Sequence, residues 1–438
     1  MTELAYRIDE RPQRAWESLL YGWQHTLVDI SPFVLPLAVA SAVGMGPAQQ
    51  AELINFTLLA MGVATLIQTT VGNRLPIIQG PSATIIGVMA PVGAQLGAAA
   101  MWGGVLAGAA LETLFGATGA LGVLRRFFPP LVSGIVIMTI GLSLGQLAVR
   151  LSVGSGSGGE IGFAIATVAL VLALKTYGRR LAGGLLARAA VFLSIWLVGL
   201  VVGGVLGQVD WALVAQKPWF QVPRLFPHGA PLGWDFRIVA VAAIFAGYLG
   251  SMVESVGDYV ATCEVAQEEF EKHHVDRGIA AEGVGCLVAA ALGGMPCTSY
   301  TQNVGIIAAT GVASRHVVRV AACILLLYGL CPKFGALLVA LPRPVLGGVF
   351  LIVCGLIVMS GVGLIRRSAG TTANRFIAGL ALTTALGVPL YVTHGLGDAW
   401  LAESSMFTRV ALSNPIVLGV ALAITLNALL NGIRQEPS

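Results

Sequence analysis

Gly80-Pro81-Ser82-Ala83-Thr84 and Met295-Pro296-Cys297-Thr298-Ser299-Tyr300-Thr301-Gln302-Asn303-Val304-Gly305 are the two stretches that decide how this chain folds. Each sets a proline and a run of small polar residues inside sequence that is otherwise almost continuously apolar. Proline cannot continue an incoming helix, and the Ser, Thr and Cys beside it suit extended backbone. Pro81 and Pro296 lie 215 residues apart, close to half the chain. Interrupted segments at matching positions of two halves point to a transporter's binding site. The pattern predicts two short strands at mid-membrane that pair with each other, because backbone groups in hydrocarbon must find partners within the protein. Half-helices are expected to begin near Ile85 and near Gly305. Their N-termini, with free N–H groups and partial positive charge, would face the gap between them. Two ordinary helices with proline in the first turn are the rival reading of the same residues.

Outward from these stretches, the whole chain reads as a membrane protein. Of 438 residues, 56% are hydrophobic and 11% charged, and the mean hydropathy is +0.84. Soluble domains carry about a quarter charged residues. At about 20 apolar residues per crossing, spans fall near 25–45, 53–71, 75–97, 101–122, 130–150, 160–175, 188–207, 236–256, 278–293, 301–312, 317–332, 345–361, 374–393 and 410–431. With the N-terminus in the cytoplasm, the inner loops carry 14 Arg and Lys and the outer loops 7. That asymmetry supports an even number of spans with both termini inside. The expected fold class is therefore an all-α integral membrane protein of 14 transmembrane segments, with short broken-helix strands in spans 3 and 10. Seven spans per half make the repeat inverted. The expected organisation is an N-terminal tail (1–20), a first repeat (21–207), an outer connection (208–235), a second repeat (236–432) and a C-terminal tail (433–438). The outer connection, with Trp211, Trp219, Phe220, Phe226 and Trp234 among prolines, is expected to lie at the interface as a short amphipathic piece.

Several classes of function drop out. The net charge of +4 is spread over loops and reads as topology rather than nucleic-acid binding. The six cysteines lack CxxC pairing and read as buried small hydrophobes, so no metal site or disulfide framework follows. Met1 to Ser18 lacks a signal peptide's apolar core, so the first span is expected to stay. Nothing suggests an enzyme: there is no metal cluster, Ser-His dyad or phosphate loop, hence no catalytic and no metal-binding residues.

What remains is a set of polar residues in apolar surroundings. Gln302 offers an acceptor and a donor side by side, the pattern that a lactam edge requires; a helix-packing amide is the plainer reading. Asn303 is expected to cap the following half-helix. Glu254 and Asp258 stand at i and i+4, on one face of a helix whose Gly247, Gly250 and Ser251 allow close neighbours. Carboxylates inside a membrane usually serve a ligand or a proton path, although the loop at 264–272 offers a solvated alternative. His25 reads as a member of a proton path or as a satisfied buried ring. Asp29 is an unusual charge in an entering helix. Glu282 is expected to pair with Arg277 or a moving bundle, and Glu112 has no evident assignment.

At this point the residues resemble the nucleobase–ascorbate transporters, the nucleobase–cation symporter-2 family. Gln302-Asn303-Val304-Gly305 through Thr310-Gly311 is similar to the family's signature, and Glu254-Ser255-Val256-Gly257-Asp258 to its Glu-x-x-Gly-Asp element. Gln24-His25, Arg277-Gly278-Ile279 with Ala281-Glu282-Gly283, and Val345-Leu346-Gly347-Gly348 also fit. The resemblance implies core and gate domains, elevator-like motion and a homodimer in a bacterial inner membrane. It implies that Glu254 binds a base's N–H groups and Gln302 its lactam edge, with backbone at Ala83 and Thr301 on the remaining polar edge. Ser82 and Asn303 belong to the same substrate-binding set, and Tyr300 matches a wall position. Asp258 and Glu282 would couple protons or domain motion, with His25 in support. Two departures stand out. Ala83 replaces the Phe that many members stack on the base, and Asp29 and Pro32 interrupt a stretch that is normally small and apolar.

The expected function is import of a nucleobase, a purine such as xanthine or urate, by proton symport. No cofactor is expected beyond the coupling ion, for which the sequence leaves sodium open beside the proton. The partners are the nucleobase and the lipid bilayer. Rival readings are a uracil or pyrimidine symporter and an inorganic anion exchanger of the same architecture. Facing half-helix N-termini suit an anion, but an ionised Glu254 would repel it.

Overall fold

The computed structural model describes residues 4–28, 31–120, 129–178, 185–227, 233–368, 370–394, 404, 408 and 412–432. Among the described residues it is mostly helical, with one pair of three-residue strands and one isolated bridge, Tyr6 to Val312. The first half contains α1 (Ala15–Val28), α2 (Ser31–Ala42), α3 (Pro47–Thr70), β1 (Gln79–Pro81), α4 (Ala83–Leu96), α5 (Ala98–Thr118), α6 (Pro130–Val153) and α7 (Gly158–Tyr177). Short helical pieces fill Leu185–Arg188, Ala190–Ser194 and Gly203–Val205, with a π-helix at Ile195–Val202. The second half contains α8 (Ile238–Ala266), α9 (Lys272–Leu292), β2 (Cys297–Ser299), α10 (Thr301–Thr310), α11 (Arg315–Gly329), α12 (Pro332–Ala340), α13 (Arg343–Ser368), α14 (Thr372–His394) and α15 (Pro415–Asn431). Among the described residues, seven helices are long and apolar enough to cross a membrane, eight if α11 and α12 form one bent span.

The strands pair antiparallel, with Gln79 opposite Ser299, Gly80 opposite Thr298 and Pro81 opposite Cys297. Flanking bonds extend the ladder: Ser82 N–H donates to Pro296 O (2.9 Å) and Tyr300 N–H to Ile78 O (3.1 Å). This mutual pairing provides for backbone that helix geometry has abandoned at depth. Helices resume at once on both sides, at Ala83 and Thr301, earlier than the expected starts near Ile85 and Gly305. Ser82 caps α4 by accepting from Ile85 N–H (3.3 Å), as serine does where a first turn leaves N–H groups unpaired.

A second break is handled by one side chain. α11 and α12 meet at 75°, where Pro332 opens the new helix and cannot donate. Asn55, buried on α3, donates through Nδ2 to Gly329 O (3.2 Å) and Cys331 O (2.7 Å), covering carbonyls that the bend releases. Tight crossings elsewhere depend on glycine. A Cβ at Gly283 on α9 would lie 2.4 Å from Thr113 N on α5, and one at Gly361 on α13 would lie 2.6 Å from Met138 N on α6. Helices α1–α5 and α8–α12 pack mainly among themselves, as do α6, α7 and α13–α15, and contacts between the two sets are sparse.

Two expectations need correction. The predicted first span at 25–45 begins earlier, with helix already formed from Ala15 to Val28 and again described over Ser31–Ala42. Asp29 and the Pro32 side chain lie outside the described residues. Among the described residues, the outer connection contains one short helix, Trp211–Ala215, with Leu213 buried and Trp211 exposed. Its rings attach it piecewise: Trp234 stacks on Trp102 (6.2 Å between centroids), and Lys333 sits over Trp219 (5.3 Å). Glu282 does not meet Arg277, which is exposed on the same helix. Five residues apart, the two point about 140° away from each other around the axis.

Candidate functional site

The site is built from one face of α8. Ser251, Glu254, Ser255 and Asp258 follow the i, i+3, i+4, i+7 spacing that aligns side chains along a helix. Each is bonded to the strand pair or its flanks. Ser82 Oγ donates to Ser251 Oγ (3.1 Å), Thr84 Oγ1 to Glu254 Oε2 (3.1 Å) and Ser299 Oγ to Asp258 Oδ2 (3.0 Å). Ser255 Oγ donates to Glu282 Oε2 (2.6 Å) and lies 2.8 Å from Thr298 Oγ1. The stripe therefore joins α8 to β1, β2, the start of α4 and, through Glu282, to α9.

Glycines set how closely α8 can sit. A Cβ at Gly250 would reach Thr84 Cγ2 at 2.5 Å, and one at Gly247 would reach Ile85 Cα at 3.0 Å, so this part of α8 lies directly on the start of α4. One turn past Glu254 the situation reverses: a Cβ at Gly257 would meet nothing within 4 Å. Gly305, one turn past Gln302 on α10, is equally open. α8 and α10 pack against each other. Gln302 is exposed, and Glu254 and Ala83 are half-buried. The open faces of the two helices thus carry one carboxylate and one carboxamide, while the neighbouring polar groups are bonded internally.

The remaining candidates sit deeper. Asp258 and Glu282 are buried. Besides Ser255, Glu282 has Tyr259, Gln79 and the Ser299 backbone around it. Asn303 is fully buried in the first turn of α10, whose N-cap is Tyr300. It therefore does not cap the helix as expected; its Nδ2 lies 3.0 Å from His25 Nδ1, tying α10 to α1. Tyr300 is buried as well. Its ring covers Gly80 and its hydroxyl donates to Pro81 O (3.1 Å). Thr301 opens α10; its side chain lies outside the described atoms. Glu112 on α5 is fully buried beside Cys286 and faces Glu282 across the α5–α9 crossing. Beyond the neighbouring Cys286 thiol, neither of its oxygens has a hydrogen-bonding partner among the described residues.

Sequence reasoning missed Ser255, Thr84, Thr298 and Ser299, which connect the acids to the strands. The signal was available in part. A serine next to a membrane glutamate, in register with a second serine and an aspartate, is a polar stripe at helical spacing. Which strand residue each would meet depends on the register, which letters alone do not supply.

Comparisons with known proteins agree with this architecture. A family described as a permease family matches residues 16–393. The nucleobase transporter PlUacP of Paenibacillus larvae is 32% identical over 427 residues, covering 95% of each chain. The uric acid permease PucK of Bacillus subtilis is 30% identical, covering 94% of this chain and 95% of its own. The xanthine permease XanQ of Escherichia coli is 29% identical, covering 99% of this chain and 96% of its own. Among solved structures, the transmembrane domain of the cyanobacterial bicarbonate transporter BicA matches with a TM-score of 0.60 at 17% identity, covering 95% of this chain and 98% of that one; this likeness shows the fold alone. The chain belongs to the xanthine and uric acid permease family, the nucleobase–ascorbate transporters whose motifs it carries, and is a multi-pass membrane permease rather than an enzyme.

Proposed function

We propose that this permease imports a purine nucleobase, xanthine or urate, by proton symport across a bacterial inner membrane, with elevator-type alternating access. The observation that carries the reading is the placement of Glu254 and Gln302 on the open sides of two helices that pack together, α8 and α10. A carboxylate accepts from ring N–H groups, and a carboxamide matches a neighbouring C=O and N–H. Backbone at Ala83 and Thr301, the first residues of α4 and α10, supplies unpaired N–H groups for the remaining carbonyls. Ser82, Tyr300 and Asn303 hold the frame of the site. Asp258, Glu282 and His25 form the buried titratable set that would take up the coupled proton. The fourteen-span reading, with two inverted repeats, assigns α1–α5 and α8–α12 to a core and α6, α7 and α13–α15 to a gate. The sparse contact between these sets supports relative motion. Both termini would be cytoplasmic and the assembly a homodimer.

The test is uptake of labelled xanthine, urate and uracil into proteoliposomes, with and without an inward proton gradient. Purine uptake that requires the gradient is expected. Glu254→Gln removes a charge-assisted bond worth about 1.5–3 kcal/mol, so transport efficiency should fall about 10- to 100-fold. Uptake of none of the three bases, uptake indifferent to the gradient, or a fully active Glu254→Gln variant would reject the reading.

A further inference from the structure

We propose that the surface where the N-terminal segment, α1 and α11 meet binds the phosphate headgroup of an anionic phospholipid. Residues 4–14 are fastened onto the start of α11 rather than extended into solvent. Ala5 N–H donates to Gly311 O (2.8 Å), Ala313 N–H to Tyr6 O (2.9 Å) and Arg315 N–H to Ile8 O (3.0 Å), and Ser314 Oγ donates to Glu10 O. This strap delivers Arg11 to a place that already holds Arg74, Arg315, His316 and Arg319. Arg315 donates to Arg74 O (3.4 Å). Arg11 and Arg319 act on His316, and Arg74 and Arg11 act on Arg319.

Counter-charge here is scarce. Asp9 pairs with Arg315 and, among the described residues, is the only carboxylate forming an ion pair in this group. Glu10 accepts from the Arg7 backbone N–H (2.8 Å) and Glu17 from the Tyr6 hydroxyl (3.0 Å); both keep their charge, but neither forms an ion pair with these arginines among the described residues. Arg319 donates through Nη2 to Thr69 O (2.5 Å), but its Nε is buried with no partner. Four arginines and a histidine thus lie near one another with one ion pair among the described residues, Arg315–Asp9. Their mutual repulsion is relieved by an anion, and the planar guanidinium fork fits phosphate oxygens.

A lipid, rather than a free anion, follows from what adjoins the arginines. α1 packs along α11, and Trp16, Leu19, Leu20 and Trp23 are all exposed on it. Their i, i+3, i+4, i+7 spacing makes one continuous apolar stripe, beginning five residues after Arg11. Tryptophans of this kind sit at headgroup depth. An acyl chain along the stripe would place its phosphate at the arginines, whereas a free phosphate would have no use for the stripe.

The test uses the full chain in nanodiscs of phosphatidylcholine, with and without phosphatidylglycerol, read by native mass spectrometry and by thermal midpoint. The parent protein should retain phosphatidylglycerol through delipidation and melt higher when it is present. Arg11→Gln with Arg74→Gln, two exposed arginines outside the helix packing, should lower retention about tenfold, as loss of two charge-assisted contacts at a wet interface implies. Lys272→Ala, an exposed lysine elsewhere, should leave retention unchanged. Four results would overturn the proposal: no retention by the parent, equal retention by the double variant, equal loss in Lys272→Ala, or inorganic phosphate raising the midpoint as much as phosphatidylglycerol does. Retention requires no transport, so the outcome is independent of which base, if any, is carried.

Discussion

Gly80→Ala is the smallest change that should disable the strand pair. An ideal Cβ at Gly80 would lie 1.6 Å from Tyr300 Cε2, 2.3 Å from Cδ2 and 2.7 Å from Cζ. The ring would have to move by more than an ångström, and it is held at both ends. Its hydroxyl donates to Pro81 O and its backbone N–H to Ile78 O, and the residue is buried. Overpacking of this kind costs about 1–3 kcal/mol. Breaking the hydroxyl bond while its groups stay buried adds about 1–3 kcal/mol. The combined cost of about 2–6 kcal/mol falls on the two strands that present Ala83 and Thr301. The assay is a double-mutant cycle of Gly80→Ala, Tyr300→Ala and the pair, read by thermal midpoint at one scan rate and by initial uptake. Gly80→Ala alone should lower both readouts. In the pair the new methyl enters space vacated by the ring, so the double variant should be no worse than Tyr300→Ala, a coupling as large as the Gly80→Ala cost itself, about 2–6 kcal/mol. Parental behaviour of Gly80→Ala, or strict additivity in the pair, would refute the packing of Tyr300 on Gly80.

Two further substitutions probe the buried polar groups. Asn303→Ala removes the one hydrogen-bonding partner that the buried His25 ring has among the described residues, at an expected cost of about 1–3 kcal/mol. A lowered midpoint should result, shared non-additively with His25→Ala, and simple addition of the two effects would mean that the contact is absent. Glu112→Gln keeps shape while removing a group whose ionisation would be costly without a partner. Its midpoint should match or exceed the parent's, and a clear fall would reveal an interaction that the carboxyl alone supplies.

The broken spans were legible because proline at depth has few uses, and Pro81 and Pro296 recur at matching places. Their pairing followed from the need to satisfy backbone groups. The exact starts of α4 and α10 did not follow. Ser82 has the extended backbone its neighbours suggest, but its side chain also caps α4, one residue before Ala83, and so sets the earlier start. Asn303 was read as a cap on residue type alone. With Tyr300 as the last extended residue, Asn303 falls inside the first turn and reaches His25, 278 residues away in sequence. Contacts of that range have no local signature. The pairing of Glu282 was misjudged for a simpler reason: Arg277 is close in sequence but on another side of α9. The resemblance to a known family located Glu254 and Gln302, and composition alone would have left them two polar residues among several.

The stripe on α8 has a mechanical consequence. Ser251, Glu254, Ser255 and Asp258 each engage a different residue of the strand pair or its flanks, and Ser255 also engages Glu282 on α9. Bonds spread over two helical turns resist sliding, because one residue of slip would break all of them together and leave polar groups unpaired at a depth where water cannot replace the partners. α8, α9 and the two half-helices should then move as one body. Contacts between this body and α6, α7 and α13–α15 are few among the described residues, with Gln95 Nε2 donating to Ser413 Oγ (2.6 Å) across them; under the proposed alternating access, that seam is where motion would occur. A seam with few directional bonds can exchange one packing for another at small cost, whereas the bonded strand pair cannot. The same polar residues that frame the proposed site therefore also hold α8, α9 and the strand pair to one another.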